Sequence, residues 1–470
     1  MAQQFEYETR LTQPRDEVFA WHQRPGALPR LTPPFGGGPD QVTEAPTDGI
    51  EPGSRVKLGV SVPGTFGTVH VPWTARHGDW DPPHYFTDRM ERGPLGEWEH
   101  RHNFEETPEG GTLVRDQVTV RTLPRVAEKA SGLSDKLMRG QLQRIFAYRE
   151  RQLRGDLEFQ DQHRGPRLRI AVGGSSGLIG SQVCALLETG GHEVLRLERG
   201  GTTGEGVIGW DPEKGLLNPR DLAGIDVVLH LGGSSIATRF TRKNKEKILH
   251  SRVDSTALLV RAIGQVPEQQ RPRALVVGSA VGYHGTDRGD EILTEEQPPG
   301  AGFLAHVCAE WEKAAHGAEV FGVRVINVRT GLVLTPSGGL LRPQLPLMTA
   351  GLSGPLGGGK QWQSWIGIDD MAGAVAHLVL SEDATGPYHV AAPNPVRQKD
   401  FARIISGVLN RPAVVPTPLA GPRALLGKEA TRETVAASHR VDVSKFLDTG
   451  YQFRHENLRE CAEHILGRTA

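Results

Sequence analysis

The chain is predicted to be an α/β protein, with a doubly wound parallel sheet in its C-terminal part and a separate α+β domain before it. A short apolar strand at 167–172 is followed by regularly spaced glycines, a helix and a second strand. Strands and helices keep alternating downstream, which is the pattern of a parallel sheet. Residues 1–158 contain instead a series of short alternating strands and then one long helical stretch.

The glycine-containing segment 167–199 reads RLRIAVGGSSGLIGSQVCALLETGGHEVLRLER. Glycine has no Cβ, so the backbone can turn tightly and approach a pyrophosphate at the N-terminus of the following helix. Strand, glycine triplet, helix and strand in this order predict a Rossmann-type dinucleotide site. The cofactor-binding residues predicted here are Gly174, Ser175, Ser176, Gly177, Leu178, Ile179 and Gly180.

The end of the second strand bears on the choice of dinucleotide. Glu198 stands where an acidic residue accepts the ribose 2′-hydroxyl of NAD(H), whereas Arg199 suits the 2′-phosphate of NADP(H). A carboxylate facing that phosphate would repel it, so the two side chains cannot both face the ribose. We expect NADP(H), with NAD(H) as the alternative. A third interpretation is that Glu198 has no role in binding and is simply exposed by the alternation of the strand.

Composition narrows the class of protein. The 470 residues carry 54 basic and 55 acidic side chains, a net charge of −1, so there is no electrostatic reason to expect nucleic acid or an anionic membrane as partner. Mean hydropathy is −0.37 and no 18-residue apolar run occurs, so no membrane span is predicted. The opening MAQQFEYETR resembles no secretion signal, and the three cysteines form no disulfide framework or metal motif. We expect a cytoplasmic protein; the sequence does not indicate its oligomeric state.

The N-terminal part is predicted to be an antiparallel sheet closed by a helix. The predicted strands lie at 5–11, 55–60, 67–74, 85–92, 96–104 and 112–121, with helices at 16–22 and 134–153 and a linker at 156–166. The segment 72–121 resembles the helix-grip, START-like (SRPBCC) superfamily, which includes polyketide cyclase and lipid-transport relatives. That resemblance implies a sheet folded around the helix and an apolar cavity for a hydrophobic ligand.

Two histidines of this domain fall on one strand face. Trp98, His100, His102 and Phe104 share that face because side chains alternate with period two. Two histidines alone do not define a metal site, and the sequence places no third ligand beside them. We therefore predict no metal, and expect the pair to border the cavity or lie on a half-buried sheet surface.

In the second half, strands are predicted at 226–231, 274–279, 324–329 and 388–391, and helices at 243–263 and 302–321. Ligands of such a sheet bind beyond the carboxyl ends of its strands. Leu231, Gly232 and Gly233 follow one such end and are predicted to contact the cofactor. We expect a nucleotide-binding domain at 167–400 and a small substrate or cap domain at 401–470.

Motifs in order through 168–400 are similar to the extended short-chain dehydrogenase/reductases. They include GGSSGLIG, KEKILHSRVDST, SAVGYHG, FLAHVCAEWEKAA, RTGLVLTP and GGGKQWQSWIGIDD. The closer resemblance is to an atypical branch described as epimerase family proteins, which carries a C-terminal domain of unknown function. The superfamily resemblance implies NAD(P) as cofactor and a small-molecule substrate, whereas the activity of this atypical branch is generally unassigned.

The usual catalytic pair of that superfamily is missing. Its tyrosine transfers a proton and its lysine lowers the pKa of the tyrosine, in the spacing YxxxK. Ser279 fits the serine position, but FLAHVCAEWE puts Leu304 in the tyrosine slot and Cys308 in the lysine slot. The candidate catalytic side chains are therefore Ser279, Tyr283 and Cys308. The alternatives are that Tyr283 packs against the cofactor and that Cys308 is a buried, inert thiol.

Other polar and aromatic residues near the strand ends complete the candidate site. Arg252 occupies a position that is usually Asn in the superfamily, and is either a cofactor or substrate contact or a helix-surface charge. Arg329 and Trp365 are predicted substrate contacts, with packing as the alternative for Trp365 and its neighbour Trp362; Asp369 or Asp370 is expected to cap a helix. The leading hypothesis is an NADP(H)-dependent oxidoreductase, with a non-catalytic NADP(H) sensor or scaffold and a sugar-nucleotide epimerase as alternatives.

Overall fold

The computed structural model describes residues 3–36, 42–44, 49–61, 70–121, 124–200 and 204–468. Two compact units divide the chain. The first comprises residues 1–164 together with 188–191 and 463–470, and the second comprises residues 165–187 and 192–462.

The first unit contains a seven-stranded antiparallel sheet in the order β1-β7-β6-β5-β4-β3-β2. Its strands are β1 Gln3–Leu11, β2 Val42–Glu44, β3 Arg55–Ser61, β4 His70–Asp81, β5 Tyr85–Arg92, β6 Glu97–Glu106 and β7 Thr112–Arg121, and its helices are α1 Arg15–Gln23, α2 Ala27–Leu31 and α3 Pro124–Gln162. Alternate side chains of the strands point inward and pack against α1 and α3. Phe19, Phe86, Phe104 and Leu157 belong to the resulting apolar core.

The long helix of this unit differs from the prediction. It continues to Gln162, so the linker expected from residue 156 is wrong over 156–162. The polar sequence there suggested a solvent-exposed connection, but Asp156 is fully buried and its carboxylate accepts hydrogen bonds from Arg30 Nε at 2.8 Å and Nη2 at 2.7 Å. The predicted strand at 67–74 lies partly outside the described residues; the strand there is β4.

The second unit contains an eight-stranded sheet in the order β11-β10-β9-β8-β12-β13-β14-β18. Every adjacent pair in it is parallel except β10 with β11. The strands are β8 Arg169–Gly173, β9 Glu193–Arg199, β10 Val207–Asp211, β11 Leu216–Leu217, β12 Val227–His230, β13 Ala274–Ala280, β14 Arg324–Thr330 and β18 Gly386–Val390. Two small sheets pair β15 Leu332–Leu334 with β17 Trp365–Gly367, and β16 Trp362–Gln363 with β19 Val396–Arg397.

Helices alternate with these strands, as predicted. They are α4 Leu178–Thr189, α5 Arg242–Gln265, α6 Phe303–His316, α7 Leu345–Thr349, α8 Ile368–Leu380, α9 Gln398–Val408, α10 Ala420–Glu433, α11 Ser444–Leu447 and α12 Leu458–Ile465. Among the helices described, none combines the length and the apolar character that a membrane crossing requires.

The strand order fixes where a ligand binds. From β8 the chain proceeds outward through β9 and β10 on one side, then returns to β12 and proceeds through β13 and β14 on the other. The order therefore reverses between β8 and β12, and a crevice forms beyond the carboxyl ends of these strands. The inner strands are buried, as expected for a parallel sheet covered on both faces.

Candidate functional site

The loop after β8 meets the loop after β12 at this reversal point. Gly174 has φ +83°, and a Cβ on it would lie 2.7 Å from the backbone nitrogen of Gly232 and 2.9 Å from the carbonyl carbon of Leu231. Those atoms belong to the backbone, so they cannot move aside as a flexible side chain would. Only glycine lets these two loops approach so closely.

The start of α4 imposes a second close approach. A Cβ on Gly180 would lie 2.1 Å from the carbonyl oxygen of Gly174, again a backbone atom. The amide of Gly177 donates to the same oxygen at 3.0 Å, while Ser176 and Gly177 are exposed. A narrow glycine turn at an accessible helix N-terminus suits an anionic pyrophosphate, so these residues fit the predicted dinucleotide.

Glu198 and Arg199 end β9, and both are exposed. They are adjacent in a strand and therefore point to opposite faces, so only one of them faces the crevice. The choice between NADP(H) and NAD(H) at this position stays a prediction.

Arg252 of α5 holds the loop after β12. Its Nη1 donates to the carbonyl oxygens of Ser234 at 3.0 Å and Ile248 at 3.1 Å, and its guanidinium lies 5.1 Å from the ring centroid of Trp311. A Cβ on Gly233 would lie 2.7 Å from the guanidinium carbon. Burial lowers the pKa of Arg252. The structure thus favours a role at the loop over the alternative of a helix-surface charge.

His230, which sequence reasoning missed, lies beneath the two loops. Its Nε2 is 2.8 Å from Ser255 Oγ, whereas its Nδ1 has no hydrogen-bond partner among the described residues. Burial, with a smaller contribution from the positive charge of Arg252, lowers the pKa of His230 to about 4.

Ser279 lies at the end of β13 and is bound to a buried ion pair. Its hydroxyl donates to Glu312 Oε1 at 2.6 Å, and Arg329 of β14 donates to both oxygens of the same carboxylate at 2.9 Å. Arg329 also donates to the carbonyl oxygen of Glu295 at 2.9 Å and is 3% exposed. The guanidinium predicted to contact substrate is therefore held by protein groups.

Tyr283 and Cys308 lie close to this ion pair. The guanidinium carbon of Arg329 is 3.6 Å from the ring centroid of Tyr283, which is half-buried in a short 3₁₀ turn, Val281–His284. Burial raises the pKa of Tyr283, and it raises the pKa of Cys308 on α6 to about 11. Cys308 is therefore a neutral thiol near pH 7, and Tyr283 a neutral phenol.

The remaining predicted positions have packing roles. Trp365 is fully buried and its Nε1 donates to the carbonyl oxygen of Asn394 at 2.9 Å, which matches the packing alternative and not a substrate contact. Gly367 occupies the N-cap position of α8, so the expected cap by Asp369 or Asp370 is wrong. Asp370 instead accepts hydrogen bonds from the backbone amides of Arg454 at 2.7 Å and His455 at 3.1 Å.

Fold and site together define a class: an α/β protein with a dinucleotide crevice at the switch point of a parallel sheet. Residues 170–391 match the model of the NAD dependent epimerase/dehydratase family, and residues 417–465 match a domain of unknown function, DUF1731. An epimerase family protein of Mycobacterium tuberculosis is 35% identical over 300 residues, which cover 64% of this chain and 98% of that protein. The chain belongs to the epimerase family, and this membership confirms NAD(P) as the class of cofactor.

Two solved structures resemble this one. A nucleoside-diphosphate sugar epimerase from Corynebacterium glutamicum is 31% identical, covers 98% of this chain and 90% of its own, and superposes with a TM-score of 0.78. Human epimerase family protein SDR39U1, determined with NADPH, is 30% identical, covers 64% of this chain and 99% of its own, and has a TM-score of 0.57.

Sequence reasoning missed the roles of Glu312, Glu295 and His230. Glu312 was detectable, because an acid four residues after Cys308 on an apolar helix needs a buried partner. The other two carry no such signal, because Glu295 contacts Arg329 and His389 on distant strands, and His230 contacts Ser255 on the following helix α5.

Proposed function

We propose that this protein is an NADP(H)-dependent oxidoreductase of the atypical short-chain dehydrogenase type that acts on a small carbonyl or hydroxyl compound. The observation that carries the proposal is the pair of backbone approaches at Gly174 and Gly180, which only glycine allows. The cofactor, when bound, would supply or accept the hydride. Residues 174–180 would hold its pyrophosphate and the loop 231–233 would border it, with Arg199 at the 2′-phosphate.

The chain's own groups would then orient the substrate beside Ser279 and Tyr283. The Tyr283 phenol is the available proton donor of this region, since it is half-buried while the Cys308 thiol is buried. Arg329 stacks on the Tyr283 ring and fixes its position. Burial raises the pKa of Cys308, and the nearby positive charge of Arg252 offsets only a small part of that rise.

A second candidate, a non-catalytic NADP(H)-binding sensor or scaffold, is favoured by one specific observation. The Ser279 hydroxyl already donates to Glu312, and each guanidinium nitrogen of Arg329 donates to a protein acceptor while the side chain is 3% exposed, so both groups are engaged within the protein. Under this function Tyr283→Phe and Cys308→Ser leave the biological effect of the protein intact, whereas loss of NADPH binding abolishes it. A sugar-nucleotide epimerase is a third candidate, supported by the name of the Corynebacterium glutamicum relative.

For the first unit we propose a START-like, helix-grip domain that holds a hydrophobic ligand. Its antiparallel sheet, the two short helices after β1 and the long helix after β7 support this assignment. We also expect the protein to act in the cytoplasm.

Titration with NADPH and NADH tests the nucleotide site, with Gly177→Asp and Gly177→Asn as matched variants. A Cβ at residue 177 meets the Gly174 oxygen at 3.2 Å in both, so the pair differs in charge and not in shape. We expect Gly177→Asp to weaken NADPH binding at least tenfold relative to Gly177→Asn, because a carboxylate would face the pyrophosphate. If the wild type binds neither NADPH nor NADH, the proposal is overturned.

A carbonyl-compound library, followed by NADPH absorbance, then separates the candidates. Consumption of NADPH that falls in Tyr283→Phe supports the oxidoreductase. Tight binding of NADPH without turnover of any library member supports the sensor. Interconversion of a nucleoside-diphosphate sugar without net NADPH consumption supports the epimerase.

A further inference from the structure

The sheet of the first unit brings four titratable side chains together. Asp88 of β5 pairs with His100 of β6, and His102 of β6 pairs with Asp116 of β7. His100 and His102 are two residues apart and therefore share one face of the central strand. The strand register thus supplies the acidic partners that the sequence alone could not place beside the two histidines.

The four side chains form a closed ring of contacts. His100 Nε2 lies 3.0 Å from Asp116 Oδ1, and His100 Nδ1 lies 3.3 Å from Asp88 Oδ2. His102 Nδ1 lies 2.7 Å from Asp116 Oδ1, and His102 Nε2 lies 3.4 Å from Asp88 Oδ2. All four imidazole nitrogens therefore face the two carboxylates.

The two histidine rings of this cluster lie close together and are buried. A carboxylate oxygen of Asp116 forms a hydrogen bond with His100 Nε2, and the other three imidazole nitrogens lie 2.7–3.4 Å from carboxylate oxygens. The two ring centroids are only 3.8 Å apart, and both rings are at least nine-tenths buried. Two nitrogen donors and two carboxylates therefore lie together at a place from which water is largely excluded, as in protein metal sites.

From this geometry we propose that Asp88, His100 and His102 bind a divalent first-row transition cation, with Asp116 as a supporting carboxylate. One ligand atom from each of the three lies within 4.8 Å of the other two. Two aspartates, two neutral imidazoles and one divalent ion together carry no net charge, so the buried cluster would be neutral with the cation bound. Each histidine then gives one nitrogen lone pair to the metal and keeps one N–H for a carboxylate, which is the usual arrangement around protein metals.

The surroundings hold the ligands in place. Phe86 stacks on the His102 ring at 4.1 Å between centroids, and Phe146 meets the His100 ring edge-on at 5.4 Å. Three further basic side chains interact with the cluster: His22, His77 and Arg149. The Nδ1 atom of His22 lies 2.8 Å from the carbonyl oxygen of Val18, and Arg149 Nε donates to the carbonyl oxygen of Leu31 at 3.3 Å. Two imidazoles and one carboxylate suit Zn²⁺ and its neighbours in the first transition row rather than Ca²⁺ or Mg²⁺.

The test uses the full chain, stripped with a chelator and titrated with Co²⁺ and then with Zn²⁺. We expect one cation per chain, a visible Co²⁺ absorption band, and loss of that band when Zn²⁺ displaces Co²⁺. Asp88→Asn and His102→Gln are expected to weaken Co²⁺ binding at least tenfold. His84→Gln is the matched control, because His84 is 52% exposed and pairs with Asp81 outside the cluster.

A wild type that binds no Co²⁺ or Zn²⁺ overturns the proposal, as does a band that persists unchanged in both ligand variants. Circular dichroism establishes whether the variants fold. If they do not, Co²⁺-induced broadening of the His100 and His102 ring resonances in the wild type decides: broadening of both supports the site, and its absence refutes it.

Discussion

At the scale of single residues, Glu312 joins the groups that sequence analysis had treated separately. Its carboxylate accepts from the Ser279 hydroxyl and from two nitrogens of Arg329, and Arg329 in turn stacks on Tyr283. The side chains of Arg329 and Glu312 are 3% and 8% exposed. A charge pair in such surroundings is stable only while both partners are present.

Glu312→Gln is therefore expected to destabilise the protein by about 3–5 kcal/mol, because it leaves the buried Arg329 cation without its counter-ion. Urea unfolding measures the difference. Glu310→Gln is the control on the same helix: Glu310 is 39% exposed and lies 3.9 Å from Lys313, so its loss should change stability by no more than about 0.5 kcal/mol. Equal stability of the two variants would show that the ion pair does not stabilise the site.

At the scale of elements, the packing of α4 against the turn after β8 depends on Gly180. A Cβ there would lie 2.1 Å from a backbone oxygen, whereas a Cβ on Gly140 of α3 would meet no atom within 4 Å. We expect Gly180→Ala to destabilise by about 1–3 kcal/mol through overpacking, and to weaken NADPH binding. Gly140→Ala should stabilise by up to about 1 kcal/mol, because alanine fits the helix without a clash and reduces the backbone freedom of the unfolded chain.

Thermal unfolding and NADPH titration of both glycine variants check this opposite pair of effects. A Gly180→Ala protein that keeps wild-type stability and NADPH affinity would mean that the turn can relax without loss of the site.

The central strands of the second unit were predictable because buried parallel strands contain continuous apolar runs, as in β8 and β13. β10, with the sequence VIGWD, was missed because five residues with weak alternation resemble a loop. Its strand character comes from pairing with β9, which a local pattern does not record.

The candidate site was predictable only where backbone constraints determine the residue type. The glycines at 174, 177 and 180 follow from the close approach of the backbone, so their spacing alone located the turn. The partners of Ser279, His100 and Asp156 come from strands or helices many residues away. Their polar side chains therefore gave no local sign of being paired and buried.

At the scale of the whole molecule, buried neutral histidines make stability depend on pH. Burial lowers the pKa of His230 to about 4 and that of His389 to about 4, below the ordinary value near 6.5. A histidine with a lowered pKa binds its proton more readily in the unfolded chain. Its contribution to stability is complete above pH 6.5, and it is lost as the pH falls from about 6.5 to about 4. Below that range both states are protonated and no further loss arises from it.

For His230 this linkage amounts to about 3 kcal/mol across that interval, at about 1.36 kcal/mol for each pH unit between 6.5 and about 4. We expect the free energy of unfolding to fall steeply as the pH is lowered from 6.5 to 4. His230→Gln should reduce the dependence of the free energy of unfolding on pH, since an amide can keep the hydrogen bond to Ser255 but takes up no proton.

His250→Gln is the control, because His250 is 60% exposed and paired with Asp254 on the surface of α5. Urea unfolding at a series of pH values, followed by tryptophan fluorescence, measures all three proteins. An unchanged slope in His230→Gln would mean that the acid sensitivity arises from other groups.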